Sequence, residues 1–494
     1  ATPEKNAWWW GLLKHGERSA YARAFDVDWA FGDGRVRIPV VGDDDRSPEG
    51  GPTRNLRVEG DALVYHDHRF PLAPGSADDG AGADEVHERQ HYELVNWRVA
   101  DDRLNYRRFF AVNTLAAIRV EDPAVLEASH AEIRRWFEEG LVDGLRVDHP
   151  DGLRDPRGYL DDLAGITGGG YVLVEKILEE GEELPRSWAT AGTTGYDALA
   201  LVDRVLTDGA GEVPLDALEE RLRGAPVEWA ELIRGTKRMV ADGILRSEVR
   251  RIVRELPPEV LASAEAAELE DGVAELLACF PVYRSYLPDE HESLDRAFTI
   301  ARVHRPDLAG TLAVLSPPLK DPGCEAALRF QQTSGMVMAK GVEDTAFYRW
   351  SRLTSLNEVG ADPHVFSVTA DEWHQRMAQR QLVWPDAMTT LSTHDTKRGE
   401  DVRARITVLA EVPEVWDAAL TGLLELAPAP DPGFASLLWQ AVLGAWPASR
   451  ERLHAYAEKA MREAGDRTRW TAPDADYEAA VHALHEPLRD DAAQ

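Results

Sequence analysis

Three carboxylates stand where a β-like run gives way to a loop, and their neighbours differ in chemically useful ways. Asp148 ends the strand-like part of Gly144-Leu-Arg-Val-Asp-His-Pro-Asp-Gly-Leu153. Strand side chains alternate faces, so Arg146 and Asp148 share one face and Leu145 and Val147 the other. A guanidinium beside Asp148 would keep that carboxylate ionised. Glu175 ends the apolar run Tyr171-Val-Leu-Val-Glu175 behind Gly168-Gly-Gly170, where desolvation is expected to raise its pKa. Asp395 follows His394 in Thr389-Thr-Leu-Ser-Thr-His-Asp-Thr-Lys-Arg398. One ionised carboxylate, one that holds a proton and a third nearby are the equipment for glycosidic-bond chemistry through a covalent intermediate. Taken singly, each also reads as an ordinary strand-end carboxylate that caps a helix or pairs with a basic neighbour.

Such residues act together only if parallel strands bring their C-terminal ends side by side, as in barrels and open α/β sheets. The pattern supplies candidates. From about 106 to 200 a helix over Pro123 to Glu139 alternates with the runs 144–148 and 171–175, the grammar of an α/β unit. Residues 1–105 read as a β-rich excursion, with runs such as Val36-Arg-Ile-Pro-Val40 and Ala62-Leu-Val-Tyr65 and two solvated loops, Asp43 to Gly51 and Pro74 to Gly82. No calcium-loop spacing follows Asp43-Asp-Asp45. In 201–330, Ile244, Leu245, Val249, Ile252, Val253 and Leu256 recur at helical spacing among Glu and Arg, which predicts an amphipathic helical insertion. A segment 331–410 carries Asp395, with the α/β pattern returning near 384–410. The last segment, 411–494, is predicted helical after the breaker Pro428-Ala-Pro-Asp-Pro-Gly433, with a polar tail past Pro487.

Arg-Val-Asp-His, then a Glu at a later strand end, then His-Asp resemble three sequence regions of the α-amylase superfamily. Asn105-Tyr-Arg-Arg-Phe-Phe110, Arg146 to Leu153, Val174-Glu-Lys-Ile-Leu178, Gly192-Thr-Thr-Gly-Tyr-Asp197, Lys340-Gly-Val-Glu-Asp-Thr-Ala-Phe-Tyr-Arg349 and Ser392 to Arg398 narrow this. Together they resemble the maltooligosyltrehalose synthase family, (1→4)-α-glucan 1-α-glucosylmutases, through nearly the whole chain. The resemblance implies an α/β fold: a (β/α)8 TIM barrel of α-amylase type with a large helical insertion and an excursion before the fourth strand. Asp148 would be the nucleophile, Glu175 the acid/base and Asp395 the transition-state stabiliser. Arg146 would orient Asp148, His394 would contact the sugar held in the cleavage subsite, His149 and Lys340 would bind substrate, and Tyr196 and Phe347 would bind the reducing-end glucose. His91, in the family-like Gln90-His-Tyr92, would also bind substrate. Lys340, Glu343 and Asp344 also read as a structural ion-pair cluster.

The implied substrate is a maltooligosaccharide or another glucan derived from starch or glycogen, with no metal or organic cofactor. A trehalose-releasing hydrolase is the implied metabolic partner. Measured against the family, the chain is expected to start after the first barrel strands and to stop before the last strand and a β-sandwich tail. The same carboxylates would serve an amylase-type hydrolase or a 4-α-glucanotransferase, and a non-catalytic glucan-binding fragment also stays open.

Composition excludes other classes. The 494 residues carry 87 acidic and 55 basic side chains, a formal charge of −32, which repels nucleic-acid phosphates and anionic membranes. Uninterrupted apolar runs fall far short of the ~18 residues needed to cross a bilayer. With only Cys279 and Cys324, no disulfide framework is available, which points to a reducing, cytoplasmic setting. His87-Glu-Arg-Gln-His91 matches the two-histidine zinc pattern, but no third ligand is evident nearby. The 15 tryptophans include Trp8 to Trp10, Trp97 and Trp384, which sequence alone does not divide between core and sugar contact.

Overall fold

A computed structural model describes residues 3–45 and 55–485; the end of the first Asp-rich loop and the tail past Pro487 lie outside these residues. Parallel strands form two separate ladders. Val36–Val41 pairs with Tyr92–Asn96, and Gly144–Val147, Tyr171–Val174 and Gly192–Thr193 form a second ladder with Tyr171–Val174 in the middle. Among the described residues the parallel strands make no closed ring, and helices dominate the rest of the chain.

Local chemistry explains the second ladder. Asp122 caps the helix Pro123–Glu138, accepting from Ala124 N at 3.0 Å with Pro123 in the first turn. The next helix, Pro156–Thr167, repeats the device: Asp155 accepts from Gly158 N at 2.9 Å, and Gly168 at φ 65° ends it. Both helices lead into strands. Their registers place Arg146 beside Leu173 and Val147 beside Val174, so the chain leaves both strands at one edge. The ladder continues one step further, with Glu175 N donating to Val147 O at 2.8 Å and Thr194 N to Val174 O at 3.1 Å.

The strand expected within 384–410 does not form. Residues 388–399 have no regular structure, and a helix resumes at Glu400–Thr407. This segment lies beside the ladder, with Met388 N donating to Thr193 O at 3.2 Å, but no described strand pairs with its outer side. A lone ladder bond does not sustain a strand. Its approach accounts for two glycines: a Cβ on Gly192 would meet Ala387 Cβ at 2.4 Å, and one on Gly195 would meet Met388 O at 2.6 Å.

Between 196 and 338 every regular element is helical. Leu245, Val249, Ile252, Val253 and Leu256 are buried in one core with Leu269, Phe280, Phe298 and Phe330. Ile244 departs from the expected stripe: it is 37% exposed, in the turn before the helix Arg246–Arg254. Residues before 105 are mixed, with a helix Ala7–His15, a three-stranded antiparallel sheet over 56–71 and a core built on Trp9, Leu12, Phe70 and Tyr92. In the last part, Asp431 caps Pro432–Ala445 and the helices bury Trp416, Trp439 and Leu437. No described helix is long and apolar enough to cross a membrane.

Candidate active site

Arg146, Asp148, His149 and Glu175 come together at the C-terminal edge of the second ladder. Arg146 Nη1 donates to Asp148 Oδ1 at 2.5 Å, and the Asp148 side chain is 54% exposed, open to a ligand. Glu175 is half-buried. Burial is the main cause that raises its carboxyl to about 7, reinforced by Asp148 and Glu343 and opposed by Arg146 and a hydrogen bond from His149 N at 2.9 Å. A carboxyl that stays protonated near neutrality, beside an ion-paired carboxylate, is suited to give a proton to a leaving oxygen and take one back.

His149 reaches Glu175 through an unusual backbone, φ 43° and ψ 57°, the left-handed region that non-glycine residues seldom occupy. Its ring packs at 4.7 Å from Phe110 and 5.7 Å from Phe109. Both phenylalanines, with Asp148, His149, Arg107 and Met336, line a cavity of about 240 Å³. Burial holds the His149 imidazole below its ordinary pKa, against the pull of Asp151 and Asp148.

Tyr196 joins the ladder edge to the third carboxylate. Its hydroxyl, pushed up to about 12 chiefly by burial, lies 2.7 Å from Thr393 Oγ1 and within the field of Asp395, Glu175 and Arg146. Thr393 Oγ1 also accepts from Asp395 N at 3.1 Å and Thr396 N at 3.2 Å, forming a tight turn. His394 Nε2 lies 2.9 Å from Asp395 Oδ2; the His394 and Asp395 side chains are 70% and 47% exposed.

Lys340 Nζ bonds Asp344 Oδ2 at 2.7 Å, and Lys397 Nζ takes Asp344 Oδ1 at the same distance. Against the burial that raises it, these two cations bring Asp344 down to about 2. Lys340 also stands 5.5 Å over the Phe110 ring, which brings the cluster to the cavity beside Asp148. Glu343, raised to about 7 mainly by burial, accepts from the Tyr283 hydroxyl.

Two candidates are not seen on the open face of the site. Phe347 is 2% exposed and stacks on Trp229 with centroids 6.2 Å apart, inside a hydrophobic cluster. His91 packs on Gly16, and burial, with His15 and Arg18, lowers its pKa. The zinc-like spacing has a different use: the helix Ala83–Glu88 ends before His91, and His87 Nε2 accepts from Leu94 N at 2.9 Å. No group of three metal-ligating side chains occurs among the described residues. Asp43 pairs with Arg98 at 3.1 Å and Asp45 Oδ2 lies 2.6 Å from His66 Nε2, so these aspartates have local partners. Trp9 is core, Trp8 stacks on Tyr21, Arg98 covers Trp97, and Trp384 lines a separate cavity.

Tyr283, Lys397, Phe109, Phe110 and Glu358 also belong to the site or support it, and the sequence pattern does not assign them a role. Lys397 and both phenylalanines lie inside motifs already singled out, so position within a motif was the available signal. Tyr283 and Glu358 carried none.

Two curated Mycobacterium tuberculosis sequences named "Putative maltooligosyl trehalose synthase" are 47% identical over 488 residues, 97% of this chain and 62% of theirs. This chain is homologous to maltooligosyltrehalose synthases over nearly its full length. The structure of maltooligosyltrehalose synthase from Arthrobacter ramosus superposes with a TM-score of 0.94 at 55% identity, covering 99% of this chain and 64% of that one. A DSM5389 glycosyltrehalose synthase follows at 30% identity and a TM-score of 0.83, covering 97% and 63%. The chain therefore spans a little over three fifths of these relatives' length. No protein-family model matches the sequence.

Proposed function

We propose that this chain carries the catalytic segment of a (1→4)-α-glucan 1-α-glucosylmutase, and that its two ladders belong to a (β/α)8 barrel of α-amylase type. The supporting observation is the pairing at one ladder edge of a proton-holding Glu175 with an open, Arg146-bound Asp148. In this reading Glu175 protonates the last α-1,4 glycosidic oxygen of a maltooligosaccharide while Asp148 attacks the anomeric carbon, giving a β-linked glycosyl-enzyme and a released glucose. Asp395 stabilises the oxocarbenium-like transition state. The glucose stays, turns and offers its 1-hydroxyl, deprotonated Glu175 takes that proton, and two inversions give an α,α-1,1 linkage with no reducing end.

Tyr196 holds the glucose, His394 contacts the sugar in the cleavage subsite, and Lys340, His149 and His91 are assigned to substrate binding. Phe347 acts in this scheme from beneath the surface, by backing the Trp229 cluster. Water admitted to the same site would turn the reaction into hydrolysis. The product suits a trehalose-releasing hydrolase as the next enzyme, and the acidic chain without a membrane-crossing helix among its described residues suits a cytoplasmic location. Incubation with maltopentaose tests the reading: reducing ends should disappear without release of glucose. A gain of reducing ends means a hydrolase, redistribution of chain lengths means a 4-α-glucanotransferase, and binding without change means a glucan-binding fragment.

A further inference from the structure

The turn after Asp148 is gripped from several directions by buried side chains. Arg284 Nη1 donates to Asp151 O at 2.6 Å and also bonds Leu153 O, while its Nη2 donates to Arg154 O at 3.0 Å. Arg107 Nη1 and Gln332 Nε2 both donate to Gly152 O, at 3.1 and 3.0 Å. A Cβ at Gly152 would come within 2.6 Å of His149 Cδ2, so the glycine leaves room for the ring. The Asp151 carboxylate is itself buried, with its side chain 4% exposed; it receives the Tyr286 hydroxyl and lies 3.4 Å from Lys176 Nζ.

Lys176 is the residue immediately after Glu175, and its side chain has no exposed surface. Its ammonium also meets Glu182 at 2.8 Å, donates to Ile177 O at 2.7 Å and lies over the rings of Tyr283 and Tyr286. One buried ion pair thus connects the residue after Glu175 to the turn whose His149 N–H bonds the Glu175 carboxyl. Removing Lys176 would leave the buried Asp151 carboxylate without its ammonium, whereas Lys176 keeps Glu182 when Asp151 is exchanged.

We propose that Asp151 and Lys176 are positioning residues whose buried ion pair, locked by the Tyr286 hydroxyl, holds left-handed His149 with its N–H on Glu175. The consequence for catalysis rests on the reading of Glu175 as acid/base. A hydrogen bond donated to the carboxylate favours its charged form, so the link offsets part of the rise that burial causes. The other groups facing Glu175 are Asp148 and Glu343, which raise it, and Arg146, which lowers it; the hydroxyls of Tyr196 and Tyr283 feel its charge in turn.

The sign of a titration shift separates positioning from simple electrostatics. Removing the negative charge of Asp151 would, through space, lower the pKa of Glu175, whereas losing the His149 hydrogen bond raises it. Tyr286→Phe changes no charge at neutral pH and removes only the hydroxyl's hold on Asp151. The measurement is an infrared pH titration of the full chain, following the protonated-carboxyl band that vanishes in Glu175→Gln. The expected result is an upward shift of about half a unit or more in Asp151→Asn, and a smaller upward shift in Tyr286→Phe. An unchanged or downward titration in Tyr286→Phe overturns the proposal, and this variant decides the matter if Asp151→Asn does not fold. The alkaline limb of maltopentaose turnover should move with the band. If the band moves and the limb does not, the positioning role stands and the acid/base role of Glu175 falls.

Discussion

The ladder edge at 144–176 and the segment 388–398 each carry candidate catalytic carboxylates, but they are built differently. In the first, Tyr171–Val174 is bonded to a strand on either side, and Glu175 N extends the ladder to Val147 O. In the second, the backbone touches the ladder at Met388 and side chains do the rest. Thr393 and Thr396 close the turn, and buried Glu358 accepts from Lys397 N at 2.6 Å and Arg398 N at 3.0 Å. A carboxylate at a strand end borrows its position from the backbone ladder, so exchanging it removes chemistry without moving the frame. Asp395 depends on the side chains of Thr393 and Thr396 in its own turn and on Glu358 and Tyr196 outside it. One substitution there moves several groups at once.

The largest effect expected from this contrast is at Asp148. Asp148→Asn should lower turnover by several decades with unchanged folding, since each 1.36 kcal/mol of lost transition-state stabilisation is about tenfold in rate. A well-folded variant, by circular dichroism and thermal melting, that keeps more than about one tenth of wild-type turnover removes the nucleophile assignment.

Glu175→Gln should be nearly as damaging toward maltooligosaccharides but selective. General acid catalysis matters where the departing oxygen would otherwise leave as a strongly basic alkoxide. An α-glucosyl fluoride needs no such help, so the variant should still glycosylate Asp148 and hold the adduct, its base for the second step being gone. Mass spectrometry of the denatured variant checks this. Absence of adduct together with near wild-type glucan turnover would move the acid/base role to another carboxyl, with Glu343 the first to examine.

Motif order and strand-end position made the first region legible from sequence: Arg146 and Asp148 share a face as alternation requires, and burial raises Glu175 in the expected direction. The strand expected near 384–410 was misleading because a β-like run is a local property, whereas a strand needs partners that 388–399 lacks among the described residues. Phe347 shows another limit. An aromatic in a binding-type motif and an aromatic in a core read alike, and only packing on Trp229 separates them. Nor does sequence show that His149 adopts a left-handed backbone, since no glycine marks the position.

A smaller effect, on stability, also distinguishes the two regions. Glu175 titrates at about 7 in the fold against an ordinary 4.5, so the native state binds more protons than the unfolded one between these values. Its contribution to stability is therefore present at pH 4 and declines as pH rises toward and through 7. Glu175→Gln abolishes that decline. The variant should gain on wild type by about 1–3 kcal/mol between pH 4.5 and pH 8, seen as a pH-dependent difference in denaturant midpoint. A constant difference across that range would mean that Glu175 is not a strained carboxyl in the folded protein.

Glu358→Gln probes the second region, with a modest effect on both stability and turnover. Glu358 is 1% exposed, and its oxygens accept from Val359 N at 3.0 Å as well as from Lys397 N and Arg398 N, with Arg403 Nη1 at 3.7 Å. The amide can keep one oxygen on Val359 and Lys397, but its NH2 then opposes the Arg398 N–H. One buried donor loses its acceptor, a cost of about 1–3 kcal/mol, and the negative partner of Arg403 at this site is lost. The melting temperature should fall by a few degrees, and turnover should drop by about tenfold as the 393–398 turn loosens around Asp395. Because Glu175 draws its environment from the ladder edge, its infrared titration should stay where it is. If Glu358→Gln displaces that titration as far as Asp151→Asn does, the two regions are mechanically one and the contrast between backbone-held and side-chain-held carboxylates fails.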